Sequence, residues 1–91
     1  MKKVACKIGG RLWTVRFGKP RTGEWGYCDH ENRVIVIEKD ASPEMQLDAV
    51  IHEFEHARRA WMHEDEVEPG ATELKNLLWQ LGWRSPNPED Q

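Results

Sequence analysis

Residues 42–60 read SPEMQLDAVIHEFEHARRA, and this stretch decides the fold. Ser42 is an N-cap residue, Pro43 suits the first turn, and Glu44 sits near the positive end of a helix. The pattern predicts a helix running from there to about Ala60. Inside it, His52-Glu53-Phe54-Glu55-His56 forms an HExxH sequence. Histidines four apart project from one side of a helix, so two imidazole nitrogens can reach one ion, which this motif points to as zinc. Glu53 projects sideways, too far round to be a natural third ligand. It is placed instead to take a proton from zinc-activated water as that water attacks a carbonyl.

A helical wheel divides the remaining positions. Leu47, Val50, Ile51, Phe54 and Trp61 form one apolar stripe, expected to pack on a sheet. Met45, Ala49, His52, His56 and Ala60 lie on roughly the opposite face, which is small and nearly uncharged apart from the histidines. Asp48, Glu55 and Arg59 fall between the two, toward solvent. The helix is therefore expected to be covered twice, once by the sheet and once across the histidines.

Upstream, Leu12 to Phe17 (LWTVRF) alternates Trp13, Val15 and Phe17 with polar residues, as a strand with one buried face would. GKPRTGEWGYCDHEN, residues 18–32, carries the Gly, Pro, Asp and Asn of a loop or irregular hairpin. Arg33 to Glu38 (RVIVIE) is a second strand, apolar on both faces and so expected to be well covered. Downstream, His63-Glu64-Asp65 reads as a short connection. A second helix is expected from Asp65 or Glu66 to Leu81, with Pro69 tolerated in its first turn. Gly82 stops that helix, and residues 85–91 read as a flexible acidic tail.

The 91 residues suffice for one domain, placed at residues 1–84, with a core small enough that a metal tying two elements together adds useful stability. Hydrophobic residues make up 38% and charged residues 32%, a balance ordinary for a soluble globular protein. No apolar run is long enough to span a membrane, and MKKVACKIGG lacks the apolar core of a signal peptide, so a cytoplasmic protein is expected. Cys6 and Cys28 are far apart and form no CxxC pair, which suits reduced thiols.

Net charge is −3, unevenly spread. Residues 1–23 hold seven Lys or Arg and no acid; the rest hold six bases and sixteen acids. A solvated strand face is the simpler account of the basic end, and nucleic acid is not an expected partner. Most of the five tryptophans are expected to pack in a core or interface.

The third ligand is less determined. A metzincin would place glycine three residues and histidine six residues beyond His56, but Arg59 and Met62 stand there. His63 is one residue late. A glutamate of the second helix is the better candidate. Val67, Ala71, Leu74, Leu78 and Leu81 form that helix's apolar stripe, with Glu68 on one side and Glu66 and Glu73 on the other. Spacing alone leaves these open.

The stretch Leu47–Arg84 resembles small phage and prophage metallopeptidase-like proteins related to the SprT-like and IrrE-like zincins. The likeness rests on the apolar run before HExxH, the short connection and the ending Leu78-Trp79-Gln80-Leu81-Gly82-Trp83. Gly26-Tyr27-Cys28 before the Val34–Ile37 strand adds to it. The resemblance implies a minimal α+β zincin: a short antiparallel sheet packed on the HExxH helix, with a second, glutamate-bearing helix closing the site. It also implies Glu68, following Val67, as third zinc ligand beside His52 and His56, with Glu53 as general base. The implied activity is zinc-dependent hydrolysis of a peptide or protein substrate, in the cytoplasm of a bacterium or phage-infected host. A zinc-stabilised binding or regulatory module without catalysis is the alternative, favoured by closed four-ligand coordination. Neither substrate identity nor oligomeric state is encoded legibly.

Overall fold

The computed structural model describes residues 3–21, 23–60 and 63–84. Four strands and two helices follow in the order β1 (Lys3–Ile8), β2 (Arg11–Gly18), β3 (Gly26–Asp29), β4 (Val34–Glu38), α1 (Pro43–Arg58) and α2 (Glu64–Gln80). The strands form one sheet, ordered β1-β2-β4-β3. The α+β class is as expected.

The sheet is mixed, which corrects the expected antiparallel arrangement. β1 pairs with β2 and β3 with β4 in antiparallel fashion, but β2 and β4 are parallel. The reason lies in β4. Its VIVIE segment is apolar on both faces and takes an inner position, where Ile35, Val36 and Ile37 are all buried. Because β3 turns back tightly into β4, two reversals separate β2 from β4, and the pair must run the same way.

Two strands lie where none was expected. β1 and β2 are joined by Gly9-Gly10, both at positive φ (59° and 80°), with Ile8 opposite Arg11. Such a two-residue turn suits the right-handed twist of the flanking strands and favours glycine at both positions. β3 occupies the segment read as loop or irregular hairpin. Its return to β4 is held by Asp29, whose carboxylate accepts from the Asn32 backbone (3.1 Å) and side chain (2.9 Å). These hydrogen bonds hold the Asp29 carboxyl below its ordinary pKa.

α1 begins as expected: Ser42 caps it, its hydroxyl accepting from the Met45 N–H at 3.3 Å, and Pro43 opens the first turn. It ends at Arg58, two residues before the expected end. Its sheet-facing side differs from the wheel. Ala49 joins Ile8, Trp13, Phe17, Ile35 and Ile37 in the core, with Val50 and Ala57 packed against them. Phe54 is 39% exposed, and Ile51 is buried but outside that cluster. The helix is thus turned so that its smaller residues approach the sheet. Gln46, fully buried, follows them in, donating from Nε2 to the Glu38 and Lys39 carbonyls (3.1 Å each) at the end of β4. Burying each large core side chain such as Ile35 or Ile37 contributes about 1.5–3 kcal/mol. Trp61, expected on the apolar stripe, lies outside the described residues.

α2 packs antiparallel to α1. Lys75, buried, pairs with Glu44 at 2.8 Å, and the Thr72 hydroxyl donates to Asp48 at 3.3 Å. Val67 and Ala71 are buried on the same side of α2. Because α2 starts at Glu64, Pro69 lies in the second turn, beyond the expected first; its missing N–H leaves the Asp65 carbonyl without an i+4 donor. Gly82, at φ 98°, ends the helix as expected. Its N–H donates to Trp79 O, and the Trp83 N–H donates to Leu78 O, the two bonds of a Schellman cap.

Candidate metal site

The rotation of α1 sets its histidines beside the sheet, in a cleft between β3 and α2. The cleft encloses about 740 Å³. α1 contributes Met45, His52, Glu53 and His56; β3 and the residues around it contribute Trp25, Gly26, Cys28 and His30; α2 contributes Glu68 and Thr72.

His52 Nε2 and His56 Nε2 converge to 3.2 Å, with the ring centroids 4.8 Å apart. Two neutral imidazoles meet this way when one offers N–H to the other's lone pair, or when both lone pairs face one cation. A tetrahedral zinc with Zn–N of about 2.0–2.1 Å sets two ligand nitrogens roughly 3.3 Å apart. The spacing of the pair is compatible with either arrangement. Glu68 is exposed on the α2 wall of the same cleft, whereas Glu66, Glu73 and His63 are exposed and do not line it. Among the described residues, no cluster of three or more His, Cys, Asp or Glu side chains is close enough to hold an ion, so Glu68 joins the lining without closing the group.

Glu53 is only 8% exposed and packs against β3. A Cβ on Gly26 would stand 2.9 Å from Glu53 Cγ and 3.0 Å from Oε2. Bare backbone at Gly26 thus lets the Glu53 carboxylate lie against the strand, and any larger residue there would make it shift. The backbone at Gly26 is not at positive φ.

Cys28 and His30 were not anticipated as part of the site. The His30 Nε2–H donates to the His56 carbonyl at 2.9 Å, satisfying an acceptor in the last turn of α1. Trp13 meets the His30 ring edge-on at 5.6 Å, and Cys28 Sγ stands 3.9 Å from both its nitrogens. Burial pushes the Cys28 thiol up to about 12, with the Glu53 and Asp29 carboxylates adding to the effect. It remains a protonated thiol at neutral pH. The usable sequence signal was Cys28-Asp29-His30, since residues two apart leave a strand on the same side.

At the outer wall, Arg21 pairs with Glu24 at 3.1 Å and lies 4.3 Å over the Tyr27 ring. Trp25, half exposed, stands beside them. No family model matches the chain, nor does any curated protein or solved structure.

Proposed function

We propose that the chain is a zinc-dependent peptidase, with His52 and His56 holding the ion, Glu68 supplying the third ligand and Glu53 acting as general base. One observation carries this reading: the two Nε2 atoms converge at zinc-ligand spacing in a cleft where a buried glutamate stands beside them.

A zinc ion there supplies Lewis acidity, acidifying water and polarising a carbonyl. The chain's own residues do the rest. Glu53, shielded by β3, takes a proton from the attacking water and returns it to the leaving amine. β3 is an edge strand that lines the cleft, so its free backbone groups suit an extended peptide laid alongside it. Trp25 and Met45 offer apolar surface to that peptide's side chains. The His30 bond to the His56 carbonyl holds the end of α1 to the β3–β4 turn, keeping the second histidine in register with the sheet.

The non-catalytic module is the second reading. It gains from Cys28 and His30, which bring two more side chains of metal-ligating type to the lining of the same cleft. A quenched-fluorescence peptide library incubated with zinc-loaded protein separates the two. Cleavage that a chelator abolishes and zinc restores supports the peptidase; one tightly held zinc with no cleavage supports the module.

Gly26→Ala provides a local test. The added methyl displaces the Glu53 carboxylate, so kcat/KM should fall by about 10–100-fold, the scale of a misplacement near 1 Å. Zinc affinity should stay within a few-fold, because the atoms nearest the added methyl belong to Glu53. Kinetics and a zinc titration on the same preparation read both.

A further inference from the structure

On the other side of α1 lies a second concavity, of about 260 Å³, that the proposed chemistry does not use. Its lining is almost wholly apolar and includes Val4, Cys6, Val15, Leu47, Val50 and Phe54. It shares no lining residue with the cleft. Val4 is 44% exposed, and Phe54 is exposed as well.

β1 borders this groove and is the sheet's other edge. Among the described residues its only strand partner is β2, so the outward backbone groups of Lys3–Ile8 face no ladder. Side chains along β1 alternate: Val4, Cys6 and Ile8 turn to the groove, and Lys3, Ala5 and Lys7 turn to the opposite face. On that opposite face the register sets Lys3 directly across from Arg16. Two like charges opposite one another on adjacent strands are unfavourable. Among the described residues neither these two nor Lys7 has a carboxylate partner, and residues 1–23 contain no acid at all.

We propose that the free edge of β1 docks an extended segment of another protein whose side chains alternate acidic and apolar. Added as a fifth strand, it lays its apolar side chains over the groove against Val4, Cys6 and Phe54. Its acidic side chains stand across from Lys3 and Lys7 on the other face and relieve the Lys3–Arg16 pair. Main-chain hydrogen bonds supply the pairing, and the alternation supplies the selectivity. A second copy of the chain fits poorly: pairing β1 antiparallel with itself about Ala5 sets the lysines of one strand against those of the other.

The test uses the full chain and does not depend on zinc. A capped heptapeptide of alternating glutamate and valine is titrated while backbone amide resonances are followed, beside the same peptide with lysine for glutamate. The acidic peptide should shift the amides of residues 4–8 saturably, bind more weakly as salt rises, and bind about tenfold tighter than its lysine counterpart. The Lys3→Glu/Lys7→Glu double variant should invert that preference while leaving the cleft amides in place. Unmoved β1 amides at millimolar peptide would overturn the proposal. So would equal affinity for the two peptides, or a dimer in sedimentation that protects the β1 amides.

Discussion

Glu53→Gln should retain zinc and lose about 10²–10⁴-fold in kcat, the contribution expected of a positioned general base. The substitution keeps the shape of the side chain, so the fit against Gly26 survives. It removes the charge and with it the ability to accept and return a proton. Thermal stability should change little, since the buried volume at this position is kept. Steady-state kinetics, a zinc titration and a melt on one preparation read all three. Unchanged turnover would remove Glu53 from the proton transfer. Lost zinc together with lost turnover would place it in the metal shell.

His56→Ala should weaken zinc binding more than any other single change, by at least about 100-fold, since loss of an outer-shell partner alone costs 10–100-fold. Half of the converging Nε2 pair disappears, and His52 alone has no directional hold on an ion. Glu68→Ala should weaken binding less, as that carboxylate is exposed on the cleft wall. The effect should also reach stability. Zinc at 100 times its dissociation constant stabilises the parent by roughly 2.7 kcal/mol through mass action, a large fraction of the stability of a domain this small. At the same zinc concentration His56→Ala should show almost none of that gain. Calorimetric melts with and without zinc measure the difference.

Much of this was legible in the residues, for physical reasons that differ by element. The start of α1 was plain because Ser42, Pro43 and Glu44 each act locally. The end of α2 was plain because Gly82 can take the positive φ that closes a Schellman cap. β4 declared its inner position through apolar residues on both faces. β1 escaped because Lys3, Ala5 and Lys7 give it little strand propensity, although Gly9-Gly10 is a hairpin signal in its own right. The parallel pairing of β2 and β4 escaped with β3, since only the extra reversal reveals it.

The site was legible in its α1 half and obscure in its sheet half. HExxH names its own histidines and glutamate through helical spacing. The rotation of α1 was not given by hydrophobicity, because Ala49 and Gln46 reach the sheet while Phe54 is left partly exposed. Small size and a satisfied side-chain amide outweighed apolar bulk there. Gly26, Cys28 and His30 reach the cleft through tertiary pairing of β3 with β4, which no local pattern states.

Whether His52 and His56 hold a zinc ion is decided by the metal content of untagged protein, read by elemental analysis and by titration against a calibrated chelator. One zinc per chain is expected, absent from His56→Ala. A parent that takes up no zinc, even after reconstitution, would contradict it and leave the converging histidines as a hydrogen-bonded pair.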